Sequence, residues 1–210
     1  DKVSKQFSSV ALKEDIKDRE KKFCGISVFG KFIYLYGGRA NTIVQLDTES
    51  NRIIYIEDWI KEIVKHQEDY FDYHILSGYI HNGSLYCPGS GTKGILRISL
   101  IDLSYEFISY ASDSADCFAD IINQDETLWL RPDGSGFISK LDLRTRILEK
   151  MGKINESSSV CKINGDIYYF SMTEPYFYKI NIKSEEMVKI PAEEGIYSVC
   201  PAGDEILMTT

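Results

Sequence analysis

No apolar run in these 210 residues approaches the roughly 20 that cross a bilayer as a helix, so no membrane partner is expected. Histidine is scarce: His66, His74 and His81 are the only three. The first falls on an expected helix, the others in or beside the following strand, and no metal site is expected from that spacing. Cysteine is sparse and scattered (Cys24, Cys87, Cys117, Cys161, Cys200) with no CxxC pair, which argues against a zinc ribbon or a dithiol redox site. Four of the five lie in or beside apolar stretches, where the residue serves as a small buried hydrophobe. Odd, irregularly spaced thiols predict a cytoplasmic protein. Basic residues are outnumbered 24 to 32, giving a net charge of −8. The concentrated positive surface that phosphate binding needs is missing, so no nucleic-acid partner is expected.

Catalytic signatures are missing too. GxSxG, HExxH and a full P-loop do not occur. The glycine-rich stretches Gly89–Gly94 and Pro132–Gly136 lead into strands, whereas a phosphate cradle must open a helix. The expected site therefore holds no catalytic residue, no metal and no cofactor.

What is present is a repeat. Five segments share an apolar strand, a tight polar turn and a second apolar-aromatic strand: 25–38, 77–89, 120–132, 160–171 and 198–209. Their turns carry Gly30-Lys31, Asn82-Gly83, Gln124-Asp125-Glu126, Asn164-Gly165-Asp166 and Gly203-Asp204, the residues hairpin bends require. A bulky residue recurs at Tyr34, Tyr86, Trp129, Tyr168 and Leu207, in steps of 52, 43, 39 and 39. Each of the first four segments is followed by a second hairpin, with period-two alternation clearest in Tyr176–Ile182. Four strands per roughly 40–45 residues is the rhythm of a β-propeller blade. The expected fold is all-β: a propeller of four-stranded antiparallel blades, about four full blades plus parts of others.

The divisions follow. Residues 1–22 read as the end of a preceding blade plus a charged connector. Blades occupy 23–56, 74–110, 117–150 and 158–190, and a partial blade 196–210. Residues 57–73 read as a short helical insertion, with Trp59, Ile60, Ile63 and Val64 at helical spacing. Two strands at one end and one at the other complement each other poorly, so a piece of a longer propeller is favoured over a complete five-bladed ring.

The first full blade resembles a kelch repeat. It carries the apolar run Ile33-Tyr34-Leu35-Tyr36, the double glycine Gly37-Gly38, then Asn41 and Leu46-Asp47 before a polar turn. Kelch repeats usually place a Tyr ahead of that Asp and a Trp after the turn, where this chain has Leu46 and Ile53. In later blades Pro88-Gly89, Pro132-Asp133 and Ser171-Met172 stand where the double glycine would be. The resemblance implies a non-enzymatic scaffold that binds another protein, with a glycan ligand or carbohydrate chemistry as the alternative.

Blade geometry points to the face where such binding would occur. The loop from second to third strand and the blade-to-blade loop emerge on the same side. The first kind lies at Arg39–Asn41, Ser90–Lys93, Arg131–Ser135 and Thr173–Tyr176. The second lies at Asp69–Tyr73, Ser112–Asp116, Asn155–Ser157 and Glu193–Tyr197. From this set Arg39, Asn41, Tyr70, Tyr73, Lys93, Arg131, Asp133, Tyr176 and Tyr197 are the expected binding residues, because arginines and aromatics anchor interfaces and sugar platforms.

Overall fold

The computed structural model describes residues 9–13, 16, 22–67, 74–111, 117–202 and 205–210. The first sheet holds β1 (Gly25–Phe29), β2 (Phe32–Tyr36), β3 (Ile43–Asp47) and β4 (Ile53–Ile56), in that order and antiparallel. The second repeats the plan with β5 (Tyr79–His81), β6 (Ser84–Pro88), β7 (Gly94–Ser99) and β8 (Tyr105–Ser109). Next come β9 (Phe118–Gln124), β10 (Thr127–Pro132), β11 (Gly134–Asp142), β12 (Leu148–Ile163), β13 (Asp166–Ser171), β14 (Tyr176–Asn181) and β15 (Met187–Pro191), seven hydrogen-bonded neighbours in sequence order. A last hairpin pairs β16 (Ser198–Ala202) with β17 (Glu205–Thr209). The first strands of successive units touch in series: β1 on β5, β5 on β9, β9 on β12, β12 on β16. The fold is all-β and propeller-like.

The insertion holds one short helix, α1 (Ile60–Val64), and the part of it at residues 68–73 lies outside the described residues. Trp59 sits just before it, fully buried, its indole N–H donating to the Ile56 carbonyl at 2.8 Å. More consequentially, Asn155–Ser157 is not a loop. It lies inside β12, a 16-residue strand whose first half pairs with β11 and whose second half pairs with β13. Glu156, at φ 42°, bends the strand where it changes partners. The fourth strand of one unit thus continues into the first strand of the next through that single left-handed residue.

Turn chemistry fixes the register. In every full unit the turn after the third strand closes with a main-chain bond from residue i+4 to residue i: Asn51 to Asp47, Leu103 to Ser99, Arg146 to Asp142, Glu185 to Asn181. The donor has positive φ each time, between 57° and 62°. Asp47, Asp142 and Asn181 each accept two further N–H bonds through Oδ1, the side-chain mimicry of a turn that favours Asp and Asn there. The same turn docks on the first hairpin of its own sheet, through Thr48 to Lys31, Leu100 to Gly83, Leu143 to Glu126 and Ile182 to Gly165. Four sequences with little identity thus share one hydrogen-bond diagram.

Apolar residues are buried between sheets. Tyr34, Ile43 and Trp59 meet Leu85, Leu96 and Ile98 between the first and second. Tyr86, Ile95 and Ile108 meet Ile121, Leu128 and Leu130 between the second and third. Trp129, Ile138 and Ile154 meet Ile167, Tyr169 and Ile180, and Phe170 and Cys161 meet Ile196. Close approach at the first seam explains the double glycine. Gly37 is at φ 74°, and a Cβ there would lie 2.3 Å from the Leu76 carbonyl oxygen.

The turn carboxylates make stability acid-sensitive. Backbone N–H of Ser50, then Lys31, hold Asp47 down at about 2 against an ordinary 3.8. The Ser99 and Ser104 hydroxyls hold Asp102 at about 2, and the Thr145 amide lowers Asp142. A lowered folded pKa contributes stability that is complete above the unfolded value and lost as pH falls through the folded one. Denaturant midpoints should therefore fall between pH 4 and pH 2. Asp47→Asn, which retains the accepting oxygen, should flatten that slope, and an unchanged slope would contradict this origin.

Candidate functional site

On the side where the second-strand ends and blade entries emerge, an open cleft of about 470 Å³ draws walls from all five units. Cys24 comes from the first and Leu76 and Ser77 from the second. Asp120, Arg131 and Asp133 come from the third, Ser157–Ser159 and Met172 from the fourth, and Tyr197 and Ser198 from the last. A main-chain bond recurring in each full unit builds this rim, joining the end of the second strand to the blade entry. Ala40 donates to Lys22, Ser90 to His74, Asp133 to Cys117 and Met172 to Glu156, at 2.8–3.0 Å.

The centre of the cleft is an ion pair set by strand register. Arg131 on β10 faces Asp120 on β9 as a direct cross-strand partner, with Arg131 Nε 3.9 Å from Asp120 Oδ2. Arg131 Nη1 donates to the carbonyls of Ser157 at 2.9 Å and Pro132 at 3.3 Å, tying the third unit to the bend in β12. Asp120 Oδ1 accepts the Ile121 N–H at 2.8 Å. The side chains keep 12% and 29% of their exposure, so they lie deep yet open to the cleft.

Burial dominates the electrostatics. It raises Asp120 above the ordinary carboxylate range, opposed by Arg131, by the Ser77 hydroxyl and by the Ile121 N–H. Ser77 lies near enough to oppose that shift while making no well-formed hydrogen bond. Burial also lowers Arg131, opposed by Asp120, although a guanidinium keeps its proton regardless. Each ion is thus under-compensated by the other. Tyr169, fully buried, feels both charges, and burial pushes its phenol well up. Among the described residues, Arg131 Nε, Ser77 Oγ, Ser157 Oγ and Tyr169 Oη have no hydrogen-bond partner.

Of the nine expected binding residues, Arg131, Asp133 and Tyr197 line this cleft. Four do not. Arg39 is exposed on the 3₁₀ turn Gly38–Ala40. Asn41 follows it at φ 48°, its Oδ1 accepting the His74 N–H at 3.1 Å, so its carboxamide is engaged in joining two loops. Lys93 is half-buried in the β6–β7 turn, its carbonyl accepting from Tyr110. Tyr176 begins β14 and lies under Lys189 Nζ, 3.3 Å from its ring centroid. Tyr70 and Tyr73 lie outside the described residues. Asp120 escaped the sequence reading, although it is the one charge within Phe118-Ala119-Asp120-Ile121-Ile122. Pairing it with Arg131 required the hairpin register.

The hairpin-turn side holds a smaller cleft of about 270 Å³ between the second and third units. Its arginines are spent on each other's acid: Arg97 and Arg146 lie 3.6 Å and 3.4 Å from Glu106. The histidines do not converge; His66 stacks on Phe107 and His74 bonds Gln67. No group of three or more His, Cys, Asp or Glu among the described residues is placed to hold a metal. No disulfide joins the described cysteines; Cys87 and Cys161 are buried, while Cys24 and Cys200 are exposed. That corrects the expectation of mostly buried cysteines: Cys24 precedes β1 at the cleft, and Cys200 lies on the terminal hairpin.

No protein-family model matches the sequence, and no curated protein matches it. Solved structures resemble the fold at low identity. A computationally designed protein, Ika8, aligns at 6% identity and a TM-score of 0.57, over 89% of this chain and 54% of its own. The extracellular domain of the putative one component system BT4673 from B. thetaiotaomicron aligns at 11% and 0.63, over 89% of this chain and 26% of that domain. A chain of a nidogen/laminin complex aligns at 8% and 0.65, over 90% of this chain and 72% of its own. The chain thus spans about half of the first and a quarter of the second. These are propeller-like folds, and the likeness is one of fold.

Two measurements probe the cleft. Arg131→Gln strands Asp120 and should cost about 1–3 kcal/mol, below the range for fully buried pairs because of the long separation and residual exposure. Adding Asp120→Asn should return part of that loss, and strictly additive effects in the double-mutant cycle would show the pair to be uncoupled. Iodoacetamide should alkylate Cys24 in the folded chain, read by peptide mass spectrometry. Cys161, whose thiol burial pushes up to about 11, and Cys87, pushed higher still, should react only in denaturant. Equal rates at all three would contradict the assigned burial.

Proposed function

We propose that this chain is a kelch-like β-propeller module that binds another protein through the cleft face and catalyses no reaction. The carrying observation is the convergence of Arg131 and Asp133, from the end of β10 and the turn after it, with Tyr197, from the connection before β16, on one cleft walled by five units. Tyr197 is 68% exposed, an aromatic offered at the rim of a polar depression, as interface anchors are. Nidogen and laminin form a protein–protein complex by name, which lends the reading a precedent on a similar fold. Support for the kelch-like part comes from the Gly37-Gly38 close approach and from Leu141-Asp142, which repeats Leu46-Asp47 in residue and turn geometry. Five irregularly spaced cysteines without a CxxC pair support a reducing cytoplasmic setting.

One observation favours a glycan instead: Tyr197 lines the cleft together with Asp120, Asp133 and five serines, a mixture that also suits sugar hydroxyls. Affinity capture with the whole chain, in parallel with a glycan array, separates the two. Arg131→Gln and Tyr197→Ala should each abolish capture of a specific protein, while Tyr176→Ala leaves it intact. Capture indifferent to the cleft variants would refute the face. An array hit lost in the same variants would transfer the site to a glycan.

A further inference from the structure

The hairpin-turn side holds a second place where charges stand out of balance, separate from the cleft assigned above to a protein partner. On the face that the second unit turns to the third, cross-strand register sets Tyr86 beside Arg97 and Arg97 beside Glu106. The Arg97 guanidinium lies 5.9 Å from the Tyr86 ring centroid. The third unit answers with two turns, Asp125-Glu126 after β9 and Leu143–Arg146 after β11, joined by the Leu143 N–H donating to the Glu126 carbonyl at 2.8 Å. Between the two units lies the smaller cleft of about 270 Å³, near the lower end of the range for small-molecule pockets.

The charges around it do not cancel in place. Arg97 Nη1 and Arg146 Nη2 each reach one oxygen of Glu106, at 3.6 Å and 3.4 Å, longer than the roughly 2.8 Å of a good charge-assisted bond. Two guanidiniums thus draw on one carboxylate, a surplus of one positive charge. Among the described residues, the cation paired with the Asp125-Glu126 turn is Arg144, 3.8 Å from Glu126, which leaves a surplus of one negative charge. Gln124 Nε2 donates to Asp125 Oδ2 at 2.7 Å but brings no charge. These groups are within reach of solvent: the side chains of Arg97, Arg146 and Glu126 keep 45%, 51% and 54% of their exposure.

The Tyr86 hydroxyl belongs to both surpluses. The residue keeps 7% of its exposure, and its oxygen has no hydrogen-bond partner among the described residues, yet it is not one of the polar atoms sealed from solvent. Burial raises the phenol above its ordinary value, Arg97 opposes that shift, and Glu126 and Glu106 add to it. The phenol therefore keeps its proton at neutral pH and feels charge of both signs from the walls of the cleft.

We propose that the smaller cleft binds the zwitterion of a free amino acid with an apolar side chain. Its carboxylate accepts from the Arg97 guanidinium and the Tyr86 hydroxyl, and its ammonium donates to the carboxylates of Asp125 and Glu126. Its side chain lies against Ile108 and Leu143, the apolar part of the lining. Such a guest cancels both surpluses at once, whereas a guest of one sign cancels one and leaves the other standing.

The test titrates the full chain, isotope-labelled, with L-leucine, N-acetyl-leucine and leucine amide; the second lacks the ammonium and the third the carboxylate. L-Leucine should give saturable shifts of the Arg97 Nε–H and of the Asn82 and Glu126 amides, with a dissociation constant in roughly the millimolar range. Each blocked derivative should bind about tenfold more weakly. Tyr86→Phe, which removes one oxygen and keeps the ring, should weaken leucine about three- to tenfold. Arg97→Gln should weaken leucine further and leave leucine amide unaffected. Tyr197→Ala, in the other cleft, should leave leucine binding as it is. Equal binding of either blocked derivative, indifference to both Tyr86→Phe and Arg97→Gln, loss of leucine binding in Tyr197→Ala, or no saturable shift at all overturns the assignment.

Discussion

A sheet of four strands, each only three to six residues long in the first two units, has two faces and no means of burying either by itself. The rest of this structure depends on that constraint. Isolated hairpins and small sheets are marginal in water, and here the apolar residues are satisfied only where one unit lies against the next. The four clusters of buried side chains all lie at seams. The architecture is therefore additive along the chain, and each unit is stable because it has neighbours. Where a neighbour is lacking, apolar surface shows: Ile26 and Val28 on β1 are 66% and 67% exposed.

Much of this was legible in the sequence, for physical reasons. Turns demand particular residues, so the hairpin positions at Gly30, Asn82-Gly83, Asp125 and Asn164-Gly165 stood out, and all adopt positive φ. Period-two alternation then located the strands between them. The recurring acceptor at the second turn was visible in only one unit, at Asp47. The others fill the place with Ser99, Asp142 and Asn181, three residues that share an accepting oxygen but little else. A comparison by residue name misses them, whereas a comparison by hydrogen-bond capacity finds them.

The parts that were not legible depend on distance in space. Nothing in Leu148–Ile163 signals that one strand serves two sheets, because polar Asn155-Glu156-Ser157 reads as a loop by composition. The strand carries on through the left-handed Glu156 because each half finds a partner strand, β11 and then β13. Likewise Asp120 and Arg131 are eleven residues apart, and only the hairpin register sets them opposite one another. A cleft assembled from five units has no linear signature. Three of its members were found because they stand at or beside the connections that emerge on one side; Asp120 was missed because it stands within the first strand of its unit.

The unbroken course of β12 also bears on how the molecule comes apart. Among the described residues the other neighbouring units fall in separate sheets, so a seam between them can open while each sheet keeps its own bonds. The third and fourth units share a strand, and the Arg131 guanidinium clasps its bend through the Ser157 carbonyl. Separating them means breaking main-chain pairing itself. They form a single cooperative block, a double-width foldon at the centre of the chain. The cleft's charged pair belongs to that block, so the least yielding part of the molecule carries the buried ions, while the walls from the outer units are the ones free to breathe.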